Sequence, residues 1–203
     1  MSKLSDDTQK LYFIAIIPPA PVYEEAVSLK SYFKDNYNSK ASLNSPPHIT
    51  MHMPFRWKEK KESELIKTLG SFFTRFDPQK VCLDNFGAFT PRVIFINVVL
   101  SEAIAAFQKE VYRFCRRELN LFNALYKEQP FHPHLTLAFR DLKKPAFLKA
   151  WDEFKDKEFK AEFIADRIAL LKHNGNVWQV YKEFPLESSY TTDNKSILDT
   201  TEG

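Results

Sequence analysis

Two short stretches carry the residues that can do chemistry: Pro47-His48-Ile49-Thr50-Met51 and Pro133-His134-Leu135-Thr136-Leu137. On a β-strand, side chains alternate between faces, so each His and Thr share one face and the apolar residues take the other. Imidazole titrates near neutrality, and two imidazoles in one pocket can divide the roles of general acid and general base. A threonine two residues along points the same way and offers a hydroxyl donor to a non-bridging phosphoryl oxygen. That set suits phosphodiester hydrolysis without a metal, with a 2′,3′-cyclic phosphate as an apt substrate. One His would deprotonate water and the other would protonate the departing ribose oxygen, which stays tethered by the ring. Which imidazole is acid and which is base depends on local burial, which the sequence does not give.

A single His-x-Thr has negligible specificity. The weight rests on the second copy, on the prolines that precede both, and on the flanking elements that repeat. No metal site or cofactor is expected: His48 and His52 lie four residues apart on one strand, about 13 Å end to end, and no carboxylates cluster beside them.

The elements that must position the two tetrads follow from periodicity. The apolar run Leu11 to Ile17, ended by Pro18-Pro19, reads as a strand buried on both faces. Val22 to about Asn36 has helical periodicity, and Pro46-Pro47 fixes an extended entry into a strand over His48 to Met53. Lys58 to Phe73 reads as an amphipathic helix, Val81 to Phe89 and Arg92 to Leu100 as neighbouring antiparallel strands. Ser101 is a candidate N-cap for a helix whose stripe runs from Ile104 to Leu119; Arg113, Arg116 and Arg117 opposite it read as a solvated face. Asn120 to Phe131 is long enough for a lid or recognition loop. After the second tetrad come a helix over Lys144 to Phe159, a strand over Phe163 to Lys172, and a hairpin to Trp178 to Phe184 through a type I′ turn at Asn174-Gly175.

The halves share an order of strand, helix, His-x-Thr strand, helix and two further strands. The fold expected is therefore α+β and duplicated: two lobes, two antiparallel sheets forming a central cleft, and helices outside. Residues 1–187 would form one domain and 188–203 a flexible tail, since Ser, Thr, Asp and Asn dominate from Ser188 onward.

Bulk properties limit the function classes. With 29 Lys and Arg against 26 Asp and Glu, the formal charge is +3. That is short of a dedicated duplex binder and compatible with an anionic small molecule or an RNA end. Cys82 and Cys115 have neither metal-ligand nor disulfide-framework spacing, so a reducing, cytoplasmic compartment is expected. The apolar run at Leu11 is too short to span a membrane. No membrane partner is expected, and the chain is expected to be a monomer.

The motifs resemble those of the two-histidine phosphoesterase superfamily, in particular the bacterial 2′-5′ RNA ligase and RNA 2′,3′-cyclic phosphodiesterase group. Beyond the tetrads, Leu11-Tyr12-Phe13-Ile14-Ala15-Ile16 resembles the family's opening strand and Phe86-Gly87-Ala88-Phe89-Thr90-Pro91-Arg92-Val93 its Gly-x-Phe, Pro-Arg-Val segment. The resemblance covers roughly residues 11–184. It implies a bilobal α+β fold, metal-independent phosphodiester chemistry, His48 and His134 as the acid-base pair, and Thr50 and Thr136 as phosphate ligands. It also implies an Arg five residues after the second His, where this chain has Phe139 and puts Arg140 one position later. In a regular strand Arg140 shares parity with His134 and would reach the phosphate. His52 shares parity with His48 and is a candidate cleft residue, and Phe89 is a candidate stacking partner for a base as well as a candidate core aromatic. His132 and His173 read as loop and hairpin residues. The alternatives are a non-catalytic nucleotide or RNA-end binding module, or a related enzyme acting on a 2′-5′ oligoadenylate or a cyclic ADP-ribose phosphate.

Overall fold

A computed structural model describes residues 8–122 and 130–187. The expected tail from Ser188 and the centre of the expected loop Asn120 to Phe131 lie outside the described residues. The strands are β1 (Gln9–Ile16), β2 (Ile49–Lys58), β3 (Gln79–Phe89), β4 (Val93–Val98), β5 (His134–Ala138), β6 (Lys160–Ala165), β7 (Arg167–His173) and β8 (Trp178–Pro185). The helices are α1 (Val22–Tyr37), α2 (Glu62–Phe73), α3 (Glu102–Glu118) and α4 (Lys144–Phe154), with a 3-10 turn at Ala41–Asn44. Among the described residues no helix is long and apolar enough to cross a membrane.

The eight strands form one antiparallel sheet in the order β6-β3-β4-β5-β2-β1-β7-β8. This corrects the expectation of two sheets. β2 and β5, the two tetrad strands, pair with each other through Ile49 and Leu135 and so join what periodicity alone separates. β6 and β7 are divided by the single residue Asp166, yet they occupy the first and seventh places in the order. One residue spans only a few ångströms, so the sheet must curl until that edge approaches β7.

All four helices bury into one apolar cluster with Tyr12, Ile14, Ile16, Ile49, Met51, Leu135 and Leu137. They therefore cover a single face of the sheet. The opposite face holds a smaller cluster of Phe13, Ala15, Ala169 and Leu171. β1 is buried on both sides, as its unbroken apolar run requires. The Ser101 cap is present: its Oγ accepts from the Ile104 amide at 3.2 Å.

Several boundaries differ from those expected, each for a tertiary reason. β2 continues past Pro54 to Lys58 because it pairs with β1 along this length, from Ile16↔Ile49 to Gln9↔Lys58. Pro54 falls in the register shift between Tyr12↔Phe55 and Ile14↔His52, where its missing N–H breaks no assigned pair. α4 ends at Phe154, and the following Phe159 is held by Asn85, whose Oδ1 accepts the Phe159 amide at 3.0 Å. The hairpin between β7 and β8 is a four-residue loop, not a type I′ turn. Only Gly175 in it has positive φ, and the Asn174 side chain accepts from the amides of Asn176 and Val177 at 3.0 and 2.9 Å.

Candidate active site

His48 is the residue just before β2 and His134 is the first of β5. The two rings are fixed by the same device. Nδ1 of His48 lies 2.7 Å from the Pro46 carbonyl, and Nδ1 of His134 lies 2.8 Å from the His132 carbonyl, each acceptor two residues upstream. A carbonyl only accepts, so each Nδ1 carries its proton and each Nε2 is left to exchange one.

The antiparallel register about Ile49↔Leu135 sets Thr50 opposite His134 and His48 opposite Thr136. Ile49 and Leu135 point into the helix-covered core, so these four side chains stand on the other face. They form a small square with the imidazoles on one diagonal and the hydroxyls on the other. Diagonal cross-strand neighbours lie about 7–8 Å apart at the backbone, a span that leaves room for one phosphorus between two side chains. Among the described residues neither threonine hydroxyl has a hydrogen-bond partner, which leaves both free to donate to a ligand.

Aromatic walls flank each imidazole. Phe13 lies 4.8 Å from His48 between ring centroids, and Phe95 and Phe89 lie 4.9 and 5.1 Å from His134. A cavity of about 240 Å³ opens beside His48 and Thr50, bounded also by Arg140, His173 and Trp178. Neither His134 nor Thr136 lines it. Arg140 reaches this cavity from outside the strand: β5 ends at Ala138, and Arg140 takes a left-handed conformation with φ 56°. Its guanidinium sits 5.0 Å from the centre of the Phe139 ring. The neighbouring Asp141 accepts from Ser39 Oγ and from the amides of Lys40 and Ala41 at 2.8 to 2.9 Å. It thereby ties the loop carrying Arg140 to the turn that leads into His48. From the other side, buried Lys30 of α1 donates to the carbonyls of Ser42 and Ser45 at 3.0 Å each.

Burial disfavours the charged form of both imidazoles. Burial lowers His48 to about 4, against the Pro46 hydrogen bond, with the charges of Lys30 and His134 adding to the effect. Burial likewise lowers His134, against the hydrogen bond to the His132 carbonyl, with the charge of the His132 ring adding to the effect. Burial also brings the Lys30 ammonium down to about 7.

Two further candidates fare differently. Phe89 is exposed at the end of β3 and packs against His134 and His132, so it borders the site instead of filling the core. His52 is fully buried, with its ring 5.6 Å from that of the core residue Phe55. The expected parity fails because the β1–β2 register shifts between Ala15↔Thr50 and Ile14↔His52, an extra residue that turns His52 toward the helices. His52 is therefore removed from the cleft. Sequence reasoning missed Phe13, Phe95, His132, His173 and Trp178 as neighbours of the histidines. Strand parity with the tetrads' cross-strand partners is the signal that would have found Phe95, which pairs with Thr136. Among the described residues no three His, Cys, Asp or Glu side chains converge as a metal site.

Comparison with known proteins identifies the family and the fold. Residues 18–177 match the family model described as the 2′-5′ RNA ligase superfamily. A Geobacillus kaustophilus protein named "Putative phosphoesterase GK0864" is 26% identical over 180 residues, covering 85% of this chain and 94% of that protein. The fold is similar to Escherichia coli LigT complexed with 3′-AMP, with TM-score 0.65, 18% identity, and 88% and 99% of the two chains covered. It is also similar to TT0787 of Thermus thermophilus, with TM-score 0.63, 20% identity, and 89% and 99% covered.

Proposed function

The chain belongs to the 2′-5′ RNA ligase superfamily, and from that footing we propose that it is a metal-independent phosphodiesterase that hydrolyses 2′,3′-cyclic phosphates on RNA ends or nucleotides. The observation that carries this reading is the diagonal placement of two imidazoles whose Nδ1 protons are committed to backbone carbonyls. In-line displacement at phosphorus needs a base behind the entering water and an acid behind the leaving oxygen, on opposite sides of the phosphorus. A phosphorus over the centre of the square meets that need.

One neutral Nε2 takes a proton from water as its oxygen bonds to phosphorus. The other imidazole, protonated, gives its proton to the ribose oxygen as the P–O bond breaks, and a phosphomonoester results. Thr50 and Thr136 donate to the non-bridging oxygens, where charge grows in the transition state. Arg140 adds a positive charge at the edge of the same cavity. Burial disfavours a proton on either imidazole, so the acid takes up the proton it needs when the phosphate anion enters and raises the pKa values beside it. A LigT relative of similar fold has been crystallised with nucleotides, 3′-AMP, ATP and NADP+, which supports a nucleotide-sized substrate here. Ligation of 2′-5′ ends is the same ring opening with the 5′-hydroxyl of a second strand in place of water: its oxygen bonds to phosphorus as the ring P–O bond to the 3′ oxygen breaks.

The test is turnover of nucleoside 2′,3′-cyclic phosphates in EDTA by the wild type, His48→Ala and His134→Ala. The expected result is a phosphomonoester product, with each variant slower by about 10²–10⁴-fold. Tight binding without turnover by the wild type would make the protein a binding module instead.

A further inference from the structure

Lys30 stands where the helical pattern calls for an apolar side chain. The residues of α1 that turn inward are Val22, Ala26, Lys30 and Phe33, one stripe along the helix, and Lys30 is only 2% exposed. A lysine is seldom buried so completely without a paired carboxylate. Among the described residues Lys30 has none: its amine donates instead to the carbonyls of Ser42 and Ser45, at 3.0 Å each. Burial brings the ammonium down to about 7, and the neutral amine still has a proton for each carbonyl.

Those carbonyls lie on the approach to His48. Ser45 is followed by Pro46 and Pro47, and successive prolines have no N–H with which to fasten the chain. The approach is held through its acceptors: Lys30 takes the Ser45 carbonyl, and His48 Nδ1 takes the Pro46 carbonyl, 2.7 Å away. The start of the same turn is held through its donors, by Asp141. His134 is reached differently. Its approach is tied to the sheet, where the Val98 amide donates to the Pro133 carbonyl at 3.4 Å, and the His132 ring packs against Phe89 and Phe95 at 5.2 and 5.6 Å. The two imidazoles share one hydrogen-bonding device but rest on different supports.

Resting on the phosphodiesterase reading above, we propose that Lys30 is a positioning residue for His48 and has no such role for His134. By holding the Ser45 carbonyl it fixes the Ser45–Pro46 peptide, and with it the direction of the Pro46 carbonyl. That carbonyl keeps the proton on Nδ1 of His48 and aims Nε2 at the cleft. A core lysine is thus coupled to one of the two proton-transfer groups without touching substrate.

The test compares Lys30→Met and Lys30→Arg with the wild type. Methionine keeps an unbranched stem and loses every donor. Arginine keeps donors, and the recess of about 430 Å³ that Lys30 borders has room for its larger head. The first readout is the proton NMR signal of each hydrogen-bonded Nδ1–H, assigned by its loss in His48→Gln and His134→Gln and recorded without substrate. The second is kcat and KM on a nucleoside 2′,3′-cyclic phosphate. In Lys30→Met the His48 signal should be lost to exchange with water while the His134 signal stays, and kcat should fall about 10–100-fold with KM within about twofold of wild type. Lys30→Arg should keep both signals and most of kcat. A folded Lys30→Met with both signals and wild-type kcat would overturn the proposal, and so would loss of both signals together, the mark of general loosening. Should Lys30→Met not fold, Lys30→Gln, a donor too short to reach both carbonyls, takes its place with the same expectation for the two signals. Absence of turnover by the wild type would refute the phosphodiesterase reading, while the imidazole signals would still decide whether Lys30 supports His48.

Discussion

Gly87 of β3 offers a sharp perturbation of the candidate site that touches none of its proposed catalytic groups. It pairs with Phe95 of β4, and a Cβ added there would lie 2.4 Å from Phe95 Cε2, 2.8 Å from Phe95 Cζ and 2.5 Å from Asn97 Oδ1. Ordinary carbon contacts are about 3.5–4.0 Å, so the Phe95 ring must retreat by more than 1 Å. It has little space for this, being 2% exposed and packed against Phe89, His132 and His134 at 4.5 to 5.6 Å. Relieving Gly of its unfolded-state freedom stabilises by only about 0.4–1 kcal/mol. Overpacking costs about 1–3 kcal/mol, so Gly87→Ala should be destabilising on balance by about 1–2 kcal/mol. The larger effect should be on rate, because the displaced ring bears on His134. A misplacement of about 1 Å at a reacting group can cost 10²-fold. Urea unfolding gives the first quantity and kcat/KM on a 2′,3′-cyclic nucleotide the second. Phe95→Leu should partly rescue Gly87→Ala, since it removes the clash. Wild-type stability together with a wild-type rate in Gly87→Ala would refute the packing described for this wall.

Other outcomes follow from the same geometry. The unfolded chain protonates His48 near 6.5 and the folded chain only near about 4, so stability falls as pH drops through that window, by about 3 kcal/mol from this residue. His48→Gln should flatten that part of the pH dependence in urea titrations, and parallel curves for the two proteins would count against a neutral, desolvated His48. With burial lowering both imidazoles, kcat/KM should be maximal below pH 6.5 and fall as pH rises and the acid loses its proton, while the optimum for kcat lies higher because bound phosphate favours the protonated acid. Asp141→Ala removes the three hydrogen bonds that join the Arg140 loop to the approach to His48. It should cost about 2–3 kcal/mol in unfolding free energy and lower kcat/KM as well. Thr50→Val and Thr136→Val should each reduce kcat by about 10²-fold with native thermal stability retained, as for other donors to a developing oxyanion.

The local order of strands and helices was legible because each element announces itself over a few residues. The apolar run at Leu11, the stripe from Ile104 to Leu119 and the proline-led tetrads all lie where periodicity puts them. The pairing of the halves was not legible. The pairing of β2 with β5 about Ile49 and Leu135, 86 positions apart, decides between two sheets and one, and nothing local encodes it. His52 and Arg140 show the same limit at the site. Parity predicts both to face the cleft, but a register shift turns His52 inward, and the left-handed Arg140 arrives by leaving the strand altogether. Trp178 and Phe13 become neighbours of His48 only through the β1–β7–β8 pairing, so no spacing in the sequence reveals them.

The measurement that bears most directly on the paired-histidine mechanism is a kinetic double-mutant cycle on His48 and His134 with a 2′,3′-cyclic phosphate in EDTA. Groups that act as one unit are lost together. The account predicts that His48→Ala and His134→Ala each lower kcat by about 10²–10⁴-fold, and that the double variant is little slower than the worse single one. Near wild-type turnover by either single variant would contradict it.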